Sequence, residues 1–347
     1  MSPGDGLPLW LGLDIGGANI KAAHSNGRAI SIPFELWKRP SDLREMLCRA
    51  AGLLPAADHL AVTMTAELCD CFATKAEGVS AILGAVSEAF PGRPVAVWGT
   101  EGRFLSVEEA IRRPELPAAA NWLALATLAA RLLPEGPGIL IDIGSTTTDL
   151  IPLKDGLPAA RGRTDTRRLQ TGELVYAGVR RTPLMALAAE LPHRGEPTAL
   201  TAELFAATLD VYLTLGDIPP DPTNDSTPDG GPATVEAARD RLARMVAADR
   251  DSFSAEDAVA LARAADEALM ARLLAAANRA CRAAVGPPAG AVVSGSGSFL
   301  ARRLASRLLP PGSPVRSLDD AWGPLASQAG CAYAIVVLAA EQEPSLP

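Results

Sequence analysis

Aromatic residues are scarce, at 4% of a 347-residue chain. The core must therefore be built from Ala, Leu, Val and Ile, and 48% of the chain is hydrophobic. Cysteine is thin as well: the five are Cys48, Cys69, Cys71, Cys281 and Cys331. An odd, scattered set excludes a disulfide framework and points to a reducing compartment, with the cytoplasm as the expected location. Cys69-x-Cys71 with His59 nearby lacks a second ligand pair at zinc spacing, so buried thiols are the better reading. Positive charge is not in excess either. A formal charge of −8 argues against a general nucleic-acid binder, although phosphorylated small molecules need only local cations. No apolar run reaches the roughly 18 residues of a membrane span. The opening MSPGDGLPLW holds neither a basic segment nor an apolar signal core. Length sets a prior of about two domains.

What is present centres on residues 138–152, GILIDIGSTTTDLIP. Ile139-Leu140-Ile141 is a continuous apolar run suited to a strand buried on both faces. Asp142 interrupts it, Gly144 opens a tight turn, and Ser145, Thr146 and Thr147 bring hydroxyls and successive N–H groups. Asp149-Leu150-Ile151 then resumes an extended pattern. The expectation is a β-hairpin whose turn holds phosphate, with Asp142 placed for Mg²⁺. The same design stands at Leu11 to Lys21, with Asp14, Gly16, Gly17, Asn19 and Lys21, 128 positions earlier. That interval is too long for a solenoid repeat and suits two similar domains sharing one cleft. A third segment, Ala291 to Leu300, is an apolar strand followed by Ser294-Gly295-Ser296-Gly297 and a helix start. Its glycines would let a flat ligand approach the backbone, near a helix N-terminus that favours negative charge.

Other stretches frame these three. Leu60 to Met64 reads as a buried strand, with Glu67 and Asp70 as carboxylates just past its end. Pro134-Glu135-Gly136-Pro137 is a strong breaker and marks the domain boundary: residues 1–135, then 136–325. Arg161, Arg163, Arg167, Arg168, Arg180 and Arg181 fall within 21 residues, and arginine suits bidentate phosphate recognition. Glu173 sits in a tight turn beside them. Leu184 to Leu191 is expected to be helical. Residues 217–234, rich in Pro, Asp and Gly, are expected to form a mobile flap. A last helix, about 326–341, is expected to pack back on the first domain.

DIGG, DIGS-TTTD and VVSGSGS, in this order, resemble the two phosphate motifs and the adenosine motif of the actin, Hsp70 and sugar-kinase superfamily. Three longer strings are similar to a narrower family: MTAELCDCFATKAEGV (64–79), TGELVYAGVRRTPLMALA (171–188) and DVYLTLGDIPPDPTNDSTPDGGPAT (210–234). That family is the hydantoinase/oxoprolinase-related proteins tied to tetrahydromethanopterin-linked one-carbon transfer, with methanofuran-biosynthesis enzymes among its members. The resemblance implies an α/β, two-domain, ribonuclease H-like fold with a ligand cleft between the domains. It implies a transferase joining γ-glutamyltyramine to 5-(aminomethyl)-3-furanmethanol diphosphate, so that an aryl ether forms and diphosphate leaves. In that scheme Asp14 and Asp142 hold Mg²⁺. Gly16, Gly17, Asn19, Gly144 to Thr147 and the arginines Arg167, Arg168, Arg180 and Arg181 hold phosphate. Lys21 neutralises the leaving group, and Asp149, Glu67 or Glu173 takes the phenol proton. Ser294 to Gly297 form a nucleotide-like site, where ATP or ADP is a further cofactor to test. Two alternatives stay open: an ATP-dependent kinase or amidohydrolase, and a nucleotide-gated binding protein without turnover.

Overall fold

A computed structural model of the chain describes residues 8–342; the opening residues 1–7 of the first expected domain lie outside that range. The first sheet contains β1 (Trp10–Ile15), β2 (Asn19–His24), β3 (Ala29–Pro33), β4 (His59–Met64), β5 (Val95–Trp98) and β6 (Phe104–Leu105). Their spatial order is β3-β2-β1-β4-β5-β6. β1 runs antiparallel to β2 and parallel to β4.

The chain then repeats the plan. It forms β7 (Pro137–Ile143), β8 (Thr148–Lys154), β9 (Leu157–Pro158) and β10 (Leu174–Val175). A separate hairpin, β11 (Glu190–His193) with β12 (Glu196–Ala199), precedes β13 (Ala291–Ser294) and β14 (Val315–Ser317). The second sheet is ordered β10-β8-β7-β13-β14, with β7 antiparallel to β8 and parallel to β13. Two α/β lobes with the same central pattern thus follow one another, the two-domain, ribonuclease H-like architecture.

Alternation along the central strands decides which way each lobe faces. Leu11, Leu13 and Ile15 of β1 enter one core with the helices Leu43–Gly52 and Lys75–Ala89. Ile139, Ile141 and Ile143 of β7 enter another, beneath the helices Ala255–Ala284 and Ser298–Leu308. The opposite parity from both sheets, Trp10 and Ala61 from one and Leu140 and Val292 from the other, joins a third core. That core is filled by the helices Asn121–Ala129 and Gly330–Gln342. The lobes therefore share a helical layer between their sheets. Gly12 belongs to this parity, and the C-terminal helix lies directly on it. A Cβ there would collide with the Ala332 carbonyl and with Val336 Cγ2 at 2.6 Å.

One expectation gives way. Leu184 to Leu191 is not a helix: it is a single 3-10 turn at Leu184–Ala186 that leads into β11. Pro183 and Pro192 cannot supply helical N–H donors, and Arg194-Gly195 adopt left-handed φ of 51° and 85° that close the hairpin. The segment 217–234, the expected flap, has no helix or long strand, and one of its acids meets the second lobe's core. Its Asp229 pairs with buried Arg241 at 3.0 Å, and Arg241 also holds buried Asp210 at 2.7 Å. Among the described residues no helix is long and apolar enough to cross a membrane.

Candidate functional site

The two hairpins have the same geometry. Asp14 pairs in register with Lys21, and Asp142 with Asp149. Each turn closes with one backbone bond, from Gly16 N–H to Asn19 O at 3.0 Å and from Gly144 N–H to Thr147 O at 2.8 Å. Between these closures the N–H groups of Gly17 and Ala18, and of Ser145, Thr146 and Thr147, donate to no acceptor among the described residues. Successive unpaired donors in a partly accessible turn make an anion-binding concavity.

Asp14 and Asp142 have the parity of Gly12 and Leu140, so both face the shared layer between the sheets. Their register partners Lys21 and Asp149 lie on the same faces. The four groups act on one another accordingly. Burial above all pushes Asp142 up to about 6; Asp149 and Asp14 add to the rise, while Lys21 and the Ser294 hydroxyl oppose it. Burial also raises Asp14, against the pull of Lys21 and of the Asn121 amide, whose Nδ2 donates to Asp14 Oδ1 at 3.5 Å. Cys331 of the C-terminal helix feels Asp14, Lys21, Asp142 and Asp149 together. Lys21 makes no ion pair within 4 Å among the described residues, which leaves its charge available to a ligand.

The remaining sequence candidates divide. Arg168 is not a free phosphate ligand. It is buried, its guanidinium bonds Asp149 Oδ1, and it lies 4.2 Å over the Trp122 ring. Asp149 is consequently half-committed: burial raises its pKa and Arg168 lowers it. Glu173 is not a free base. It is fully buried, and its two carboxylate oxygens accept the N–H groups of Arg161 at 2.6 Å and Gly162 at 2.8 Å. Arg167 is exposed and donates to Gln170 Oε1 at 3.1 Å. Arg180 and Arg181 have no carboxylate within 4 Å among the described residues, and both donate their backbone N–H to Ser145 O, at 3.1 and 3.0 Å.

Glu67 differs from all of these. It is 1% exposed, and among the described residues neither carboxylate oxygen meets a donor at full hydrogen-bond geometry, although the backbone N–H groups of Glu67 itself and of Ala119 lie near enough to favour its charged form. Burial above all pushes its pKa up to about 7, with Lys75 Nζ 3.9 Å away as a partial counterweight. Its segment, just past β4, abuts the first turn: Thr65 N–H donates to Ile15 O at 3.0 Å, and a Cβ on Gly17 would lie 2.7 Å from Cys69 Sγ. Lys75 also reaches Asp165 of the second lobe at 3.8 Å. Asp70, by contrast, is exposed.

At the 294–297 segment, the close approach that Gly295 and Gly297 permit is made by the protein itself. Gly295, at φ 90°, is pressed against Ile143 O and Asp142 Oδ1, and Gly297 against Ile143 and Val179. Gly297 N–H donates to Ile143 O at 2.8 Å. Ser294 is buried and Ser296 exposed. Sequence reasoning missed Asn121 and Trp122 as parts of the site. Their only local signal is a helix start, and their partners Asp14 and Arg168 are far away along the chain.

Among the described residues no three His, Cys, Asp or Glu side chains gather as a metal cage. His59 stacks on Trp10 at 4.8 Å, and all five cysteines are free, with Cys48 exposed and Cys281 and Cys331 buried. Two surface depressions, of about 250 and 330 Å³, lie along residues 240–250 and 255–263. Neither includes a hairpin residue, and neither brings together the carboxylates and unpaired N–H groups that distinguish the interlobe site.

A hydantoinase/oxoprolinase family model matches residues 58–334. A protein of Methanocaldococcus jannaschii named (4-{4-[2-(gamma-L-glutamylamino)ethyl]phenoxymethyl}furan-2-yl)methanamine synthase is 39% identical over 254 residues, 72% of this chain and 75% of that one. A protein of the same name from Methanococcus vannielii is 39% identical over 124 residues, 36% of this chain and 55% of that one. Among solved structures, component A of (R)-2-hydroxyglutaryl-CoA dehydratase from Acidaminococcus fermentans is similar at 11% identity and a TM-score of 0.46, covering 97% of this chain and 100% of that one.

Proposed function

The chain belongs to the hydantoinase/oxoprolinase family, and from that premise we propose that it is a synthase of the aryl ether that its 39%-identical relative is named for. The reaction joins the phenol oxygen of γ-glutamyltyramine to the CH₂ carbon of 5-(aminomethyl)-3-furanmethanol diphosphate. The bond from that carbon to the diphosphate oxygen breaks, and its electron pair leaves with diphosphate. The phenol oxygen supplies the pair of the new C–O bond, and its proton goes to a carboxylate. Atoms and charge balance without ATP or a redox partner.

The observation that carries this reading is the convergence of Asp14, Lys21, Asp142 and two sets of unpaired turn N–H groups between the lobes. Such an arrangement places fixed positive dipoles and a lysine where leaving-group charge develops. Gly16 to Asn19, Gly144 to Thr147, Arg180 and Arg181 are the proposed diphosphate contacts. Asp14 and Asp142 fit Mg²⁺, since both are hard oxygen donors and the ion prefers one or two carboxylates plus substrate phosphate. Burial is the main cause of the rise at Asp142, and the repulsion from Asp149 and Asp14 that adds to it is what a cation would relieve. When bound, Mg²⁺ would neutralise charge on the departing diphosphate. Glu67 is the proposed proton acceptor, because its closest cation, Lys75, stands off at 3.9 Å and burial brings its pKa up to about 7. The packing at Gly295 and Gly297 accounts for those glycines without a nucleotide. Cysteines that are all free fit a cytoplasmic enzyme.

The test supplies both substrates with Mg²⁺, with and without ATP, and follows ether and diphosphate by mass spectrometry. Ether without ATP is expected. No ether in any arm, with ATP turnover on another substrate, overturns the reading.

A further inference from the structure

Each anion turn is propped from behind by a later segment. At the first, Phe34 N–H donates to Ala18 O at 3.0 Å and Leu36 N–H to Gly17 O at 2.9 Å. At the second, Val179 N–H donates to Gly144 O at 3.0 Å, and the N–H groups of Arg180 and Arg181 meet Ser145 O. The residue after the first prop is Trp37, and the last residue of the second is Arg181. These two touch across the lobes: the Arg181 guanidinium carbon lies 5.4 Å from the centroid of the Trp37 ring.

The contact is informative because the Arg181 side chain has no better partner among the described residues. In a chain of net charge −8, Arg103, Arg131, Arg194 and Arg307 each hold a carboxylate. Arg181 holds only a π face, which binds a cation less firmly than a phosphate oxygen does. Diphosphate in the second turn would draw the guanidinium away and leave the half-buried indole face open to the site.

We propose that Trp37 receives the furan ring of the substrate once Arg181 turns to the diphosphate. This rests on the transferase reading above. The reacting carbon is bonded to the diphosphate oxygen that Arg181 would hold, so an aromatic face within reach of the same guanidinium lies close to that carbon. As the C–O bond breaks, positive charge spreads over the CH₂ group and the furan. The face that held a guanidinium then holds the developing furanylmethyl cation, one cation exchanged for another, until the phenol oxygen completes the bond.

The first test is intrinsic fluorescence of the full chain with Mg²⁺ and inorganic diphosphate. Wild type should change its emission on adding diphosphate, and most of that change should be missing in Trp37→Phe and Arg181→Gln, with Trp122 as the other indole near the site. The second is kinetic. Trp37→Leu should lower kcat about tenfold with little change in KM for the furan diphosphate, and Trp37→Phe, which keeps a π face, should fall between it and wild type. Wild-type kcat in Trp37→Leu, or a diphosphate response as large in Trp37→Phe as in wild type, would overturn the proposal. Should wild type form no ether, the transferase reading fails separately. The emission response then decides alone whether Arg181 leaves the indole.

Discussion

Replacing Glu67 with Gln separates stability from catalysis at a single carboxyl. Glu67 is 1% exposed, and burial lifts its pKa from 4.5 to about 7. Between those two values the folded chain keeps a proton that the unfolded chain has lost, so stability falls as pH rises across the window. The cost is absent well below 4.5 and complete above 7. At about 1.4 kcal/mol per pH unit, that rise costs the fold about 3 kcal/mol at pH 8. An amide cannot ionise, so Glu67→Gln escapes the cost. It should be more stable than wild type at pH 8 by about 2–3 kcal/mol, and most of that gain should vanish at pH 5. Urea unfolding midpoints of both proteins at the two pH values measure the gap. The same variant should lose about 10²- to 10⁴-fold in kcat if Glu67 takes the phenol proton. A gap that is equal at pH 5 and pH 8 would refute the buried, near-neutral carboxyl, and undiminished kcat would refute its role as base.

Three further outcomes are expected. Arg168→Gln leaves Asp149 without its guanidinium and Trp122 without the cation over its ring, and breaking a largely buried pair should cost about 3 kcal/mol, seen as a lower Tm; an unchanged melt would show that the pair is not structural. Gly178→Ala puts a methyl 2.6 Å from both Ser145 C and Thr146 N, so the second turn must shift. Calorimetric titration with inorganic diphosphate should show at least about tenfold weaker binding, consistent with the 1–3 kcal/mol typical of overpacking, and wild-type affinity would remove the turn from the anion site. Asp142→Asn should stay folded and raise the Mg²⁺ concentration needed for half-maximal turnover. In wild type that requirement should climb as pH falls through about 6, because protonation of Asp142 competes with the cation; a Mg²⁺ response independent of pH would exclude Asp142 as its holder.

Both hairpins were legible in the chain because every ingredient is local. An apolar run, an aspartate, a glycine and a polar turn lie within a dozen residues, and the backbone has few ways to connect them. Copying that unit at 128 positions was enough to imply two similar lobes. Even the facing of Asp14 and Asp142 follows from strand parity, once the shared helical layer is known. The helix expected at Leu184 to Leu191 failed for a related reason: its leucines suited either state, and the prolines and the Arg194-Gly195 turn tipped it to a strand.

The roles of single charges were decided only by tertiary structure. Asp149, Glu67 and Glu173 look alike in the sequence as carboxylates near motifs. Folding gave Glu173 two backbone donors from Arg161 and Gly162, gave Asp149 the guanidinium of Arg168, and gave Glu67 only the more distant Lys75 at 3.9 Å among the described residues. Arginines clustered along the chain were divided in the same way, Arg168 to the interior and Arg181 to an indole from the other lobe. A side chain's chemistry is written in its type, but its charge state and availability depend on solvent and on partners brought from elsewhere in the fold. Local pattern therefore determined where turn N–H groups are left open, and long-range packing determined which side chains stand free beside them.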